Sequence, residues 1–224
     1  MNSFSAMKSL LPVVWVGTAC LISLLAVRSA IGADPVKVSV YYECLCSDSR
    51  NFVIKQLHPV WRDLKDIMTL DINTYGKAND TAHGEGYAFH CQHGPAECEG
   101  NMMLTCAKNY LSEAQYMDFS ACIMESFIST RAEELCAELI GIDSTPIHNC
   151  WNSVDGQMLL HEVGEIERTL DPPLTYVPWI LINDVYTEEQ RIAAEADLRG
   201  VICNAYQGEK PPQCLVAPYH PLNL

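Results

Sequence analysis

Val36-Lys37-Val38-Ser39-Val40-Tyr41-Tyr42-Glu43-Cys44-Leu45-Cys46-Ser47-Asp48-Ser49 is the stretch that decides how the chain is read. From Val36 to Tyr42, β-branched and aromatic residues alternate with polar ones, the period-two pattern of a strand. The strand runs straight into Cys46-Ser47-Asp48-Ser49, after which Phe52, Val53, Gln56, Leu57 and Val60 recur at helical spacing. Ser and Asp just ahead of that run are good helix starters, and Pro59 is expected near the helix end. A second short strand is expected over residues 67–73, closed by Tyr75-Gly76. Strand, helix, strand is a βαβ unit of an α/β fold, with a cysteine at the turn into the helix.

A thiol at such a turn points its sulfur at unpaired backbone N–H groups and at the positive end of the helix dipole. Both favour thiolate over thiol, so Cys46 is the candidate nucleophile. Redox enzymes of this design carry a second cysteine three residues on, which resolves the mixed disulfide formed with a substrate; here that position is Ser49, which cannot. Cys44 is the nearby thiol that could replace it. A C-x-C bridge would close a small, strained and therefore oxidising ring. The alternative, preferred here, is that Cys44 ends the strand and pairs elsewhere or stays free. Asp48, close to Cys46, opposes the helix by favouring the protonated thiol.

Outward from this unit, the chain changes character. Residues 102–110, 117–127 and 132–140 carry apolar side chains at three-to-four spacing, with Cys106, Cys122 and Cys136 among them, so helices stapled by disulfides are expected. No strand is expected between about residues 81 and 170. Strand character returns over residues 176–183, where Pro178 fits either the first residue of a strand or a cis bond, and Asn183-Asp184 ends the run as a hairpin-like turn. Residues 188–203 read as a last helix and residues 207–224, with their prolines, as an extended tail. Cys203 ends that helix and Cys214 lies beyond Gly208 and Pro211-Pro212, so a disulfide between them would pin the tail to the domain.

Lys8 precedes an apolar stretch from Leu10 to Val27, and small residues follow at Ala30, Gly32 and Ala33, the layout of a secretory signal. Residues 1–33 are therefore read as a signal peptide cleaved after Gly32 or Ala33, in preference to a retained membrane anchor, and residues 34–224 as a single domain. Eleven cysteines in 224 residues agree with an oxidising compartment: Cys20 falls in the leader, leaving an even set in the mature chain. In that setting Asn79-Asp80-Thr81 is a usable glycosylation acceptor at Asn79. With 14 Lys and Arg against 28 Asp and Glu, the formal net charge is -14, which argues against nucleic acid and anionic membrane surfaces as partners. His83, His90, Cys91, His93, Cys98 and Cys106 could pass for a zinc cluster, but disulfides are the better reading of those cysteines, and no metal is expected.

Cys91-Gln92-His93-Gly94-Pro95-Ala96-Glu97-Cys98-Glu99-Gly100-Asn101, followed by Cys106, resembles the signature C-Q-H-G-x-x-E-C-x-x-N-x-x-x-x-C of the gamma-interferon-inducible lysosomal thiol reductase family at every fixed position. Tyr41-Tyr42-Glu43, Gln56-Leu57, Pro59 to Trp61, Tyr176-Val177-Pro178-Trp179 and Tyr206-Gln207-Gly208 also fall in that family's order, so the likeness spans about Val36 to Cys214. The resemblance implies a thioredoxin-like α/β fold with a disulfide-rich helical insertion at about residues 81–170. It also implies a reductase of protein disulfides in endosomes and lysosomes or outside the cell. It makes Val177-Pro178 look like the cis-proline element that offers its backbone to a substrate beside the nucleophile. The chain departs from the family's C-x-x-C at Ser49, and so resembles the C-x-x-S forms of invertebrate members.

The expectation is a thiol–disulfide oxidoreductase acting on disulfide-bonded proteins, needing no bound cofactor. Cys46 attacks, Val177 and Pro178 align the substrate, and a small thiol such as glutathione or cysteine resolves the mixed disulfide. Nothing in the sequence sets an oligomeric state. The rival is a secreted binding protein on the same scaffold with weak or lost turnover; a saposin-like helical domain fits the central cysteines but not the flanking strands.

Overall fold

The central strand, β1 (Val36–Tyr42), is apolar on one face throughout and buried on both. In the computed structural model, which describes residues 33–126 and 129–215 and all their side chains except those of 129–131, it is the middle of a three-stranded sheet of order β2-β1-β5. β2 (Met68–Thr74) runs parallel to it, Val36 opposite Met68 and Tyr42 opposite Thr74. β5 (Trp179–Ile182) runs antiparallel, Val38 opposite Ile182 and Tyr41 opposite Trp179. Val36, Val38, Val40 and Tyr42 enter the main core with Leu57, Leu64 and Ile72, while Tyr41 packs with Trp179 and Leu181 in a smaller cluster on the other face. A βαβ unit followed by an antiparallel strand entered through a cis-proline is the thioredoxin-like arrangement. Beyond β5 the chain turns back through Asn183 and Asp184, both at positive φ, and pairs only by an isolated bridge between Ile182 and Val185.

The crossover helix is longer than the sequence suggests. α1 (Ser47–Phe52), a π-turn (Val53–Leu57) and α2 (His58–Leu64) follow without a break, so Pro59 does not close the helix. A proline inside a helix has no N–H to donate and its ring crowds the carbonyl four residues back; the wider π-turn just ahead of it gives that room. The last helix, α8 (Glu188–Ala205), starts at Thr187, whose hydroxyl accepts from the Gln190 N–H at 3.1 Å, and breaks at Asp197, which leaves helical φ/ψ. Gln56 spans that break, donating to the Ala196 carbonyl at 3.0 Å and accepting from the Leu198 N–H at 3.2 Å.

The insertion holds a second departure from the expected architecture. Residues expected to lack strands form a hairpin, β3 (Asn79–His83) and β4 (Gly86–His90), turned at Gly84 with φ +61°. Its residues are mostly polar and exposed, so no alternation announces it. What fixes it is tertiary: His161 meets Asp80 Oδ2 at 2.6 Å, Tyr87 stacks on the His161 ring, and Arg168 reaches Asp80 at 3.0 Å. The helical part begins only at α3 (Pro95–Tyr110) and continues through α4 (Glu113–Glu125), α5 (Ser129–Ile140), α6 (Thr145–Trp151) and α7 (Val154–Arg168). α4 starts earlier than its apolar pattern because Ser112 and Gln115 form a capping box. Cys106–Cys150 ties α3 to α6, Cys122–Cys136 ties α4 to α5, and Cys203–Cys214 ties α8 to a 3₁₀ turn at Pro212–Cys214. Among the described residues no helix is long and apolar enough to cross a membrane. Residues 1–32 of the expected leader and residues 216–224 of the tail lie outside the described residues.

Candidate active site

Cys46 is the N-cap of α1: its backbone is extended (φ -66°, ψ 125°), and its carbonyl accepts the first helical hydrogen bond from Arg50 at 2.9 Å. The side chain makes no capping bond and is nearly buried. Its thiol instead donates to the Val177 carbonyl at 3.8 Å, and the Val177–Pro178 peptide is cis. The expected nucleophile and the expected substrate-aligning element, 131 positions apart, are thus brought into contact. A second cis peptide, Asp171–Pro172, lies earlier in the same connection and was not expected.

Three neighbours complete the turn. Ser49, three residues beyond Cys46, is fully buried, and its Oγ accepts from the Glu43 N–H at 3.4 Å. Asp48 turns toward the cis-proline loop, its Oδ2 accepting from the Tyr176 hydroxyl at 2.6 Å, with the Arg191 guanidinium over the Tyr176 ring. Burial, then the bond to Asp48, raises the Tyr176 pKa. Cys44 is not the last residue of the strand: β1 ends at Tyr42, and Cys44 sits in the turn, wholly buried. Its N–H is held by Asn101 Oδ1 at 2.9 Å and its thiol reaches the Glu97 carbonyl at 3.5 Å. Among the described residues, Cys44 and Cys46 stand outside the four disulfides.

The signature segment packs behind this turn. Cys91 and Cys98 are bonded to each other and Cys106 to Cys150, so the candidate zinc cluster is dissolved: its thiols are disulfide sulfurs. Gly94 starts α3 at φ +88°, ψ -173°, a conformation essentially closed to other residues. Asn101, fully buried, closes the end of β1 and also accepts from Thr74 Oγ1 through its carbonyl at 3.0 Å. Glu97 accepts from the His93 N–H at 2.9 Å and lies 2.6 Å from His93 Nδ1. Gln92 is exposed. Cys203 and Cys214 belong to the α8 end, and Asn79 lies exposed on the hairpin.

The burial of two carboxylates went unread in the sequence. Glu43 is fully buried, and burial is the main cause that pushes its pKa up, aided by Glu97 and opposed by the Lys77 N–H. Glu167, on α7, is pushed up to about 8 by burial and by Glu43, although the Gly76 N–H bonds its Oε2 at 3.0 Å. Their signal was faint: an acid directly after an apolar strand, and an acid on the inward stripe of a helix. Along α1 and the π-turn, Asp48, Asn51, Lys55, Gln56 and, from α8, Glu195 line an open hollow of about 140 Å³.

A cysteine at a helix N-terminus, facing the carbonyl before a cis-proline on a thioredoxin-like framework, defines the class of thiol–disulfide oxidoreductases. The family model described as gamma interferon inducible lysosomal thiol reductase (GILT) matches residues 37–140. The chain is 35% identical over 184 residues to the gamma-interferon-inducible lysosomal thiol reductase of Carassius auratus, covering 81% of this chain and 73% of that protein. It is 31% identical to GILT-like protein 1 of Drosophila melanogaster, covering 89% and 86%, and 32% identical to the thiol reductase of Mus musculus, covering 86% and 77%. It therefore belongs to the gamma-interferon-inducible lysosomal thiol reductase family. Among solved structures it is similar to DsbA of Chlamydia trachomatis (TM-score 0.49, 14% identity, 73% of this chain and 85% of that one). It is similar also to a thioredoxin-like oxidoreductase from Silicibacter pomeroyi DSS-3 (TM-score 0.47, 12% identity, 73% and 86%).

Proposed function

We propose that the protein reduces disulfides of protein substrates in lysosomes, endosomes or the extracellular space, with Cys46 as the nucleophile and a small thiol such as glutathione or cysteine as the electron donor. The Cys46 thiolate attacks one sulfur of the substrate disulfide, and the other sulfur leaves as a thiolate that takes up a proton. A first small thiol attacks the Cys46 sulfur of the mixed disulfide, releasing the second substrate thiol. A second small thiol then attacks the small thiol now bonded to Cys46, releasing Cys46 as the thiol and the two small thiols as their disulfide, so two electrons pass from two small thiols to one substrate. Val177 and Pro178 hold the substrate backbone as an added strand beside the sulfur. The observation that carries this reading is the 3.8 Å contact from Cys46 Sγ to the carbonyl before the cis-proline. Removal of the leader would leave the chain in the secretory pathway and open Asn79 to glycosylation; the lysosomal names of its relatives support the compartment.

The binding-protein alternative draws on Ser49, a hydroxyl where the second thiol would be, and on Cys44, whose sulfur is buried against Glu97. One experiment separates the two. The protein, rapidly acid-quenched and alkylated, is run on non-reducing gels, and insulin-disulfide reduction is measured with added small thiol at acidic and neutral pH. Covalent adducts mapped to Cys46, together with reduction that vanishes in Cys46→Ser, are expected. Adducts that survive Cys46→Ser, or no reduction at either pH, would overturn the reductase reading.

A further inference from the structure

His93 and Glu97 are fixed positions of the signature, yet the thiol chemistry above uses neither. Glu97 lies in the first turn of α3 with both oxygens turned to His93, and its side chain is fully buried. From the opposite side comes Glu43, at the end of β1. Its Oε1 accepts from the Lys77 N–H at 2.7 Å; its Oε2 points at His93 Nδ1 from 3.4 Å and has no hydrogen-bond partner. The turn beneath leaves space for that carboxylate: a Cβ on Gly76 would fall 2.4 Å from Glu43 Cγ. Two fully buried carboxylates therefore share one imidazole. Buried charge is costly unless compensated, and the positive groups acting on Glu43 are His93 and Lys77, with Glu97 opposing them.

We propose that Glu43 Oε2, His93 Nδ1 and Glu97 Oε2 bind one divalent cation of zinc type. The three donor atoms lie within 4.8 Å of one another. Two carboxylates cancel the charge of a divalent ion, and the unpartnered Oε2 gains the partner it lacks. One imidazole with two carboxylates suits a borderline cation such as zinc. Calcium prefers six or more oxygens, and copper(I) prefers sulfur. Of the cysteines next to these ligands in sequence, Cys91 and Cys98 are bonded to each other and offer no thiolate, and Cys44 has its sulfur turned to the Glu97 carbonyl at 3.5 Å. His93 is about a third exposed, so a water has access to a fourth position, the composition of an open rather than a closed zinc site. Binding requires the proton between His93 and Glu97 to leave and their 2.6 Å contact to widen, because ligand atoms about 2.0 Å from one ion stand roughly 3.3 Å apart. The ion would tie the end of β1, one residue before Cys44, to the start of α3.

The test avoids activity and removes the competing thiols. In mature protein carrying Cys44→Ser and Cys46→Ser, stripped with chelator, calorimetric titration with zinc chloride is expected to show one site. Adding Glu43→Gln or His93→Gln should weaken it at least about tenfold each. Anomalous diffraction from zinc-soaked crystals of the wild-type protein should place the ion between the three side chains, an arm that stands even if a variant fails to fold. No binding, binding unchanged in both variants, or an ion found only elsewhere, such as at His161, Asp80 and Glu165, would overturn the proposal. Reductase activity could be absent and this site still bind, so the two readings fail separately.

Discussion

Ser49 shows how much one side chain decides. It occupies the position from which a second thiol would attack the Cys46 mixed disulfide, and its hydroxyl is buried and engaged by the Glu43 N–H. Ser49→Cys should raise insulin reduction and cut its dependence on added small thiol, because resolution becomes intramolecular at high effective concentration. Unchanged kinetics across a titration of small thiol would point to Cys44 as the resolver. Gly94 is the other single residue with a clear cost. Nothing lies within 4 Å of a Cβ placed there, so Gly94→Ala meets no clash and suffers only from φ +88°. A loss of roughly 1–3 kcal/mol is expected in denaturant unfolding.

Among the elements, α8 is the most dependent on its neighbours. It breaks at Asp197, is bridged there by Gln56, and is closed at its end by Cys203–Cys214. In the chain-entropy picture a loop of this size is worth about 3 kcal/mol, so the Cys203→Ser, Cys214→Ser double variant should lose about that in urea unfolding while keeping its Cys46 chemistry. A loss near zero would mean that the tail remains docked without the bond. The β3–β4 hairpin depends on tertiary contacts in another way. Burial alone would raise the Asp80 pKa, but bonds from Tyr75, His161 and Arg168 outweigh it and hold the carboxyl below its usual value. The stability this pairing adds is present above the unfolded carboxylate pKa and lost as pH falls through the lower folded one. Protease cleavage within residues 79–90 should therefore rise only in strong acid.

At the scale of the molecule, the buried Glu167 sets the larger pH response. Its folded pKa is pushed up to about 8, so its contribution to stability is complete below the unfolded carboxyl value of 4.5 and is lost as pH rises through about 8. The melting temperature, measured with chelator present, should climb as pH falls from about 8 to about 5, by an amount on the order of a few kcal/mol in stability. Glu167→Gln should flatten that climb. An equally steep profile in the variant would assign the response to other groups. A fold that tightens in acid suits the acidic compartment proposed for the chain.

The βαβ start, the cysteine at its turn, the central helices and the turn at Asn183-Asp184 were legible because each is written locally, in an alternation, a period or a residue preference. That the cysteines form disulfides was legible from their number alone. The Cys203–Cys214 pair was legible from its place at the end of the last helix, but the other pairings, such as Cys106 with Cys150 across two helices, came only with the packing that brings those Cα atoms to 6.0 Å. The hairpin at residues 79–90 was invisible because its strands are polar and are held from outside, by α7. Pro59 misled because a π-turn can absorb what an α-helix cannot. At the site, the sequence determined which residue is the candidate nucleophile, since a thiol at a strand-to-helix turn takes its chemistry from the local backbone. The tertiary structure decided what surrounds it: Val177 from 131 positions away, Tyr176 on Asp48, and Glu43 and Glu97 closing on His93. Those contacts depend on long-range burial, and no local pattern in the chain encodes which distant side chains share a desolvated space.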